Sequence, residues 1–310
     1  MRFLIVGAGA TGGYFGGRLL QAGCDVTFLL RPRRAAQLRE TGLIIRSPHG
    51  DAVLPMPPAI MADEISAPFD VVVVSSKAYD LEGTMDSFHA AVGPDTSILP
   101  LLNGMRHMDR LAERFGAERV LGGVCFISST LDDDGAIVHL NDVHTLVFGR
   151  QDDANTAQVQ EIESELQRAI FATRASAEIM QDMWEKWVFI ASLGALTSLM
   201  RTSVGDVIAV AGERFALALL EECSAIAGRN GFPPREEALE RARRFLTTPG
   251  SPLQASMAKD IERGARIEAD HIVGDLLARD GTSGNEWSLL RVAYAHLKAY
   301  EVRREREALS

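Results

Sequence analysis

The stretch Phe3-Leu4-Ile5-Val6-Gly7-Ala8-Gly9-Ala10-Thr11-Gly12 joins a short apolar run to a glycine-rich turn. The apolar run predicts a buried β-strand, and residues 13–22 after the turn predict a helix. A GxGxxG turn between a strand and a helix is the setting in which this pattern binds the pyrophosphate of a dinucleotide. The alternative is a glycine turn with a purely structural role, which the flanking strand and helix make the weaker interpretation.

Each glycine of the turn has a physical task in such a site. Gly7 lets the chain turn sharply, Gly9 lets the backbone come close to the pyrophosphate, and Gly12 lets the helix pack on the strand. The positive end of the helix dipole then faces the anion. The predicted cofactor-binding residues of the turn are Gly7, Ala8, Gly9, Ala10, Thr11 and Gly12.

The end of the second predicted strand indicates which dinucleotide is bound. In NAD-specific sites an acidic residue at this point holds the ribose hydroxyls. Here Phe28-Leu29-Leu30 is followed by Arg31-Pro32-Arg33-Arg34, with no acid. Guanidinium groups match an adenosine 2′-phosphate by charge-assisted hydrogen bonds, so we predict NADP (NADPH) as the cofactor and Arg31 as its main ligand. A solvated basic turn is the alternative.

The chain has 310 residues, 46% of them apolar, which is enough for two domains with separate cores. In the first 150 residues, apolar runs alternate with helical segments, the pattern of a parallel sheet. The runs predicted as its strands are residues 3–6, 25–30, 71–75 and 97–101. Residues 42–46 and 52–54 predict a hairpin, and residues 122–131, 136–140 and 145–148 predict an antiparallel extension of the sheet.

From residue 155 onward the apolar residues recur at helical spacing. The helical segments are residues 156–172, 180–200, 206–229, 235–247, 253–279 and 286–307, with a further break expected at 280–284. We therefore predict an α/β protein with an NADP-binding, Rossmann-type domain at residues 1–175. An all-helical substrate and catalytic domain follows at residues 176–310.

Composition excludes several classes of function. The net charge of −10 argues against a nucleic-acid partner. The three cysteines are far apart and form no CxxC pair, which argues against disulfides and thiolate metal sites. His139 and His144 are five residues apart, a spacing that suits metal ligands on neither a helix nor a strand, so we predict no metal site. The longest uncharged apolar-rich run, residues 187–200, is shorter than a membrane span. These features predict a cytoplasmic protein without a membrane partner.

The chain resembles the ketopantoate reductase (2-dehydropantoate 2-reductase) family over nearly its whole length. The residues that carry the resemblance are the 7–12 turn, Arg31, Ser76-Lys77-Ala78, Leu102-Asn103-Gly104-Met105, Trp184-Glu185-Lys186-Trp187, Ser256-Met257, Asp260 and Glu268. The resemblance implies NADPH-dependent reduction of a 2-keto acid, a small-molecule substrate. The order and spacing of these residues are more specific than any one of them.

The resemblance also implies a role for five side chains. Lys77 lies near the cofactor and the active cleft, and Asn103 contacts both the nicotinamide and the substrate. Lys186 is the catalytic proton donor. Ser256 binds the substrate carboxylate, and Glu268, the second catalytic residue, binds its hydroxyl group.

The residues themselves also permit purely structural roles for three of these side chains. Lys186 lies in a strongly apolar helical segment, where a lysine either has a function or lies at the edge of the buried face. Glu268 follows Asp260 by eight residues, which predicts one face of a single helix, with an exposed acid as the alternative. Ser256 near a helix start is otherwise a helix cap.

Three positions depart from the family pattern. Members that reduce ketopantoate carry asparagines where this chain has Ile190, Gly194 and Val204. Loss of three amides from one pocket removes hydrogen bonds that select a polar substrate. We therefore expect ketopantoate or a related 2-keto acid, with two alternatives: a reductase of a bulkier, more apolar 2-keto acid, or a non-catalytic NADP(H)-binding regulatory protein. The long apolar helices also permit a homodimer.

Overall fold

The structure is a computed structural model that describes residues 1–281 and 287–308. The first elements are β1 (Arg2–Val6), α1 (Ala10–Gln21), β2 (Asp25–Leu29), α2 (Pro32–Thr41), β3 (Leu43–Arg46), β4 (Ala52–Leu54), β5 (Ala59–Ile60), β6 (Val71–Val74), α3 (Leu81–Phe88), β7 (Ser97–Pro100), α4 (Arg106–Phe115), β8 (Leu121–Leu131), β9 (Ile137–Arg150), α5 (Ala157–Leu166) and β10 (Ala172–Ala175). The α-helices that follow among the described residues are α6 (Ile179–Met200), α7 (Val204–Ala211), α8 (Glu213–Arg229), α9 (Glu236–Thr247), α10 (Ser256–Glu262), α11 (Asp275–Ala278) and α12 (Leu289–Ala308). This order confirms the predicted α/β class with a helical C-terminal region.

The chain divides into two compact units. The first contains Met1–Leu102 and His107–Met180, and the second contains Asn103–Arg106 and the chain from Gln181 onward. The short segment 103–106 thus belongs to the helical unit although it follows β7 in the sequence. The expected domain boundary between residues 175 and 176 stays a prediction.

The first sheet is parallel and has the strand order β5-β2-β1-β6-β7. Its core strand β1 pairs with β2 on one side and β6 on the other, so Ile5 lies between Phe28 and Val73. All four residues of β6 are buried, as expected for a continuous apolar run in a parallel sheet. The glycine turn follows the carboxyl end of β1, which is the edge where open α/β sheets bind ligands.

A second sheet corrects the prediction of an antiparallel extension. The strands β8 and β9 pair with each other, and β9 also pairs with β3 and β10, giving a separate five-stranded sheet that includes the hairpin β3–β4. The residues predicted as two short strands, 136–140 and 145–148, form the single strand β9. Between the pairs Ile127–His144 and Ser129–His139, β8 has one residue and β9 has four, so an irregular bulge interrupts the ladder.

The helix α1 explains why a second sheet forms. It is buried from Gly12 to Leu19. A Cβ atom at Gly16 would lie 2.7 Å from Ile5 of the first sheet, and one at Gly13 would lie 2.6 Å from Ile137 of the second. The helix therefore packs against a sheet on each of two sides, and its glycines allow both approaches.

The helical unit differs from the prediction at one break that bears on the site. The predicted helix at 253–279 ends with α10, because Gly264 has a positive φ of 66° and the Ala265 N–H donates to the Asp260 carbonyl oxygen at 2.8 Å. Asp260 and Glu268 are therefore not on one helix, which corrects the expectation of a shared helical face. The predicted break at 280–284 lies partly outside the described residues.

Among the described residues, no individual helix has the length and apolar character of a membrane span. The helices α6 and α7 meet those criteria only as a pair, and they meet at a 69° bend.

Candidate active site

The glycine turn between β1 and α1 requires glycine at two positions and is open at a third. Gly7 has a φ of +91°, which residues with a side chain rarely adopt. A Cβ atom at Gly12 would lie 2.0 Å from Ser75 Oγ and 2.6 Å from the Gly7 carbonyl oxygen, so only glycine fits without a shift. At Gly9 a Cβ atom would instead enter open space. The loop thus leaves a cradle, free of protein atoms, at the start of α1.

The cradle suits an anion. Gly9 is the N-cap of α1, has no side chain that could cap the first N–H groups, and is followed by a first turn without acidic residues. The backbone N–H groups and the dipole at such a helix start attract phosphate. The Ser76 hydroxyl, just beyond β6, is buried and has no hydrogen-bond partner among the described residues. These features fit a dinucleotide pyrophosphate held by residues 7–12.

Two arginines at the start of α2 have different surroundings. The Nε and Nη1 groups of Arg34 donate to the carbonyl oxygens of Ala8 and Gly135, each at 3.0 Å. Burial lowers the pKa of Arg34. Arg31, the predicted phosphate ligand, has 72% of its side chain exposed and pairs with Asp80 at 3.1 Å. Arg34 therefore supports the loop, whereas Arg31 faces solvent, where a ligand can reach it.

Asp80 is a candidate residue that the sequence interpretation missed. It ends the single 3-10 turn Ala78–Asp80, which lies between β6 and α3. The half-buried Lys77, predicted to lie near the cofactor, is the residue before this turn. The sequence does show that Asp80 follows β6 and that Arg31 follows β2, the two strands that pair with β1.

Asn103 lies against a buried histidine of the helical unit. A Cβ atom at Gly104 would lie 2.7 Å from the His271 carbonyl oxygen, so the two backbones are in close contact. Burial lowers the pKa of His271, while the charge of Glu268 and a hydrogen bond with the Asn103 backbone oppose that shift. The structure therefore brings Asn103 and Glu268, both predicted site residues, to the same histidine. His271 was missed, although its position three residues after Glu268 was a usable signal.

Lys186 is half-buried on α6, next to the buried Trp187. The Trp187 indole N–H donates to the Ile272 carbonyl oxygen at 2.8 Å, which ties α6 to the π-helical turn at Asp270–Gly274. Asn103 contacts the same turn. Single π-helical turns occur frequently at functional sites. The segments that carry Lys186 and Asn103 therefore share one anchoring turn.

The neighbour of Lys186 is a carboxylate that fixes the orientation of α6. Glu185 has only 7% of its side chain exposed. Arg235 Nε and Nη2 donate to its two oxygens at 2.7 and 2.8 Å. Burial raises the pKa of Glu185, but hydrogen bonds from Arg235 and Gln181 outweigh it, and the pKa is lowered. This bidentate pair joins α6 to the loop before α9.

Ser256 is the exposed first residue of α10, and Ala255 rather than Ser256 occupies the N-cap position. The next residue, Met257, is buried, and its Cε lies 3.1 Å from the position that a Cβ of Gly194 would take. The helix α10 therefore packs on α6 at one of the positions that depart from the family pattern.

The other two positions that depart from the family pattern also carry apolar side chains. Val204 is fully buried, and its N–H donates to the Leu253 carbonyl oxygen at 2.9 Å. Ile190 is half-buried on α6. In this chain, packed apolar groups thus stand where the resemblance leads us to expect amides.

Three histidines form a cluster beside α1, although the spacing of His139 and His144 argued against one. The bulge in β9 places both on the buried face, and His49 comes from the β3–β4 turn. One ring nitrogen of each lies within 4.8 Å of the others. The Tyr14 hydroxyl is 2.7 Å from His144 Nδ1.

The geometry of this cluster does not favour a metal. The rings of His49 and His144 stack at 3.7 Å with an angle of 15° between their planes. Their nitrogen lone pairs lie in the ring planes, so they do not converge on one ion. Burial lowers the pKa of His144 to about 4, with His49, His139 and the buried Arg18 acting in the same direction. The absence of a metal site stays a prediction.

The comparisons with known proteins agree with this architecture. A family model described as "Ketopantoate reductase PanE/ApbA" matches residues 3–153, and its C-terminal counterpart matches residues 178–301. The "Uncharacterized oxidoreductase YkpB" of Bacillus subtilis is 37% identical over 302 residues, covering 97% of this chain and 99% of that protein. A 2-dehydropantoate 2-reductase of Halobacterium salinarum is 28% identical, covering 90% of this chain and 92% of that protein.

A solved structure gives the same result. The 2-dehydropantoate 2-reductase from Geobacter metallireducens superimposes with a TM-score of 0.87 at 28% identity, covering 96% of this chain and 99% of that one. The two family models together match most of the chain, and the matched ranges include the glycine turn and the π-helical turn. The chain therefore belongs to the PanE/ApbA family of ketopantoate reductases.

Proposed function

We propose that the protein is an NADPH-dependent oxidoreductase that reduces a 2-keto acid to a 2-hydroxy acid. The observation that carries the proposal is the open cradle at Gly9, at the start of α1 in a chain of the ketopantoate reductase family. The solvent-facing Arg31 beside the turn supports the phosphorylated dinucleotide over NADH. The names of two relatives at 28% identity, both 2-dehydropantoate 2-reductases, support a 2-keto acid as substrate.

Reduction of a ketone needs a hydride and a proton, and bound NADPH supplies the hydride. In the proposed mechanism the Lys186 ammonium donates the proton to the carbonyl oxygen. Asn103 and Lys77 orient the ketone and the nicotinamide, while Ser256 and Glu268 hold the substrate carboxylate and hydroxyl. The shared anchoring turn and the Glu185–Arg235 pair support Lys186 and Asn103 in fixed positions.

The packing of Met257 against Gly194 favours one substrate alternative, a 2-keto acid more apolar than ketopantoate. A pocket without amides loses little when the substrate lacks a hydroxyl group, and it gains by burying apolar surface. We therefore expect bulkier apolar 2-keto acids to compete well with ketopantoate. The homodimer and the cytoplasmic location stay predictions.

A substrate panel tests the proposed function. NADPH and NADH are each mixed with the protein and with ketopantoate, 2-oxoisocaproate or phenylpyruvate, and the loss of reduced-nicotinamide absorbance is followed. Steady oxidation of NADPH with any of these acids supports the reductase. NADPH binding without turnover on the whole panel would favour the regulatory alternative, and a strong preference for NADH would contradict the role of Arg31.

Lys186→Ala tests the proton donor. We expect kcat to fall by about 10²–10⁴, the usual contribution of a general acid, while the NADPH Kd changes little. Lys259→Ala, a half-buried lysine on α10, is the matched control and keeps its turnover. Unchanged turnover in Lys186→Ala would remove this residue from the mechanism.

A further inference from the structure

An ion pair joins the two strand ends that flank the glycine turn. Because β2 and β6 are the two neighbours of β1, the chain segments that follow them lie on either side of the turn that follows β1. Arg31 comes after β2 and Asp80 after β6, and their side chains meet at 3.1 Å. A dinucleotide whose ribose reaches Arg31 therefore meets the Asp80 carboxylate at the same place.

The Asp80 carboxylate is not committed to capping the helix that follows it. Asp80 is the N-cap residue of α3, yet its side chain makes no cap hydrogen bond. It is 34% exposed, which leaves its oxygens accessible to a ligand. Its ion pair with Arg31 places a carboxylate beside the glycine turn.

We propose that Asp80 sets the preference between the phosphorylated and unphosphorylated dinucleotides by competing for Arg31. This inference rests on the proposed function. A 2′-phosphate must displace the carboxylate from the guanidinium and then remain close to it, at a cost in like-charge repulsion. A dinucleotide without that phosphate meets no such cost, because a carboxylate accepts hydrogen bonds from ribose hydroxyls, as the acid after the second strand does in NAD sites. Asp80 thus supplies, from the other side of the turn, the acid that the sequence lacks after β2.

The expected effect is moderate because the pair is partly exposed. Release of an exposed ion pair is worth a few-fold in affinity, and the repulsion between carboxylate and phosphate across water adds a similar factor. Asp80→Asn should therefore bind NADPH roughly 5- to 20-fold more tightly than the wild type. It should bind NADH a few-fold more weakly, because it loses the charged acceptor. Both effects should shrink at high salt.

The test compares the Kd values of NADPH, NADH, 2′,5′-ADP and 5′-AMP for the wild type and Asp80→Asn by calorimetry. Asp86→Asn is the matched control, because Asp86 is on α3 and pairs with Arg114 at 2.7 Å. Tighter binding of NADPH and 2′,5′-ADP by Asp80→Asn alone, abolished by Arg31→Gln, supports the proposal.

Unchanged or weaker NADPH binding by Asp80→Asn would overturn the inference, since Asp80 would then be inert or would position Arg31 for the phosphate. That result leaves the proposed function intact as long as the wild type binds and oxidises NADPH. A wild type that binds none of the four ligands would contradict the proposed function and the inference together.

Discussion

The two glycines of the turn permit one perturbation that separates ligand binding from folding. Gly9 has an extended backbone that alanine adopts without strain, and its Cβ atom would enter open space. At Gly12 the added Cβ atom would instead meet the Gly7 carbonyl oxygen at 2.6 Å, a contact that no side-chain rotation relieves. We therefore expect Gly9→Ala to weaken dinucleotide binding and Gly12→Ala to weaken the fold.

The magnitudes follow from these contacts. Gly9→Ala should leave the free energy of unfolding unchanged or raise it by about 0.4–1 kcal/mol, since alanine restricts the unfolded chain. A methyl group in the place of the pyrophosphate should cost about 1–3 kcal/mol of binding, or roughly 5- to 150-fold in the NADPH Kd. Gly12→Ala should cost about 3 kcal/mol in forced contacts and recover about 1 kcal/mol of helix propensity. The net loss of about 2 kcal/mol lowers the Tm by about 4–8 °C.

The assay is a thermal melt of each variant in the absence of ligand, together with a calorimetric titration with NADPH. A Gly9→Ala variant that binds NADPH as tightly as the wild type would refute the cradle as the pyrophosphate site. A Gly9→Ala variant with a lowered Tm would show that the space around Gly9 is not open. A Gly12→Ala variant that melts with the wild type would contradict the close packing of α1 on the loop.

Two further predictions concern stability. Arg235→Ala leaves the buried Glu185 carboxylate without its bidentate partner and should lower the free energy of unfolding, measured by urea titration, by about 1–3 kcal/mol. Adding Glu185→Gln to the same chain should recover much of this loss, because it removes the unpaired charge. A loss that Glu185→Gln does not recover would contradict this explanation. His144 has a pKa lowered to about 4 in the folded protein against an ordinary 6.5, so the unfolded chain binds the extra proton and stability falls as pH decreases through this interval. Between about pH 7.5 and about pH 5.5 this residue should cost about 1 kcal/mol, and His144→Asn should flatten the urea-derived pH profile by that amount; an unchanged profile would show that His144 does not titrate abnormally.

The strands of the first sheet were predictable because buried parallel strands are written as continuous apolar runs, as in Val71–Val74. The second sheet was not. The alternation of apolar and polar residues in residues 122–148 indicates antiparallel pairing of β8 with β9. It does not say with which other strands this pair forms a sheet. The partner is selected by α1, whose glycines at 13 and 17 let a second sheet approach the side away from the first.

The candidate-site residues of the glycine turn could be predicted from the sequence. The polar residues that contact other candidate-site residues, Asp80 and His271, were harder to predict. The turn at residues 7–12 follows from local pattern alone, because the strand, the glycines and the helix are contiguous. The positions of Asp80 after a strand and of His271 near Glu268 are visible in the sequence, but they do not say which distant segments these two residues contact. The break at Gly264 was also missed, because an isolated glycine inside an apolar helical pattern is usually tolerated.

The double burial of α1 has a thermodynamic consequence. The proposed pyrophosphate cradle lies at the first turn of this helix, and a sheet packs on each of two sides of the helix. Nucleotide binding to the cradle should therefore stabilise both sheets. Saturating nucleotide should therefore slow amide hydrogen exchange in β3 and β9 of the second sheet as well as in α1. Conversely, the substitution Ile137→Ala in β9 of the second sheet should raise the Kd of the nucleotide.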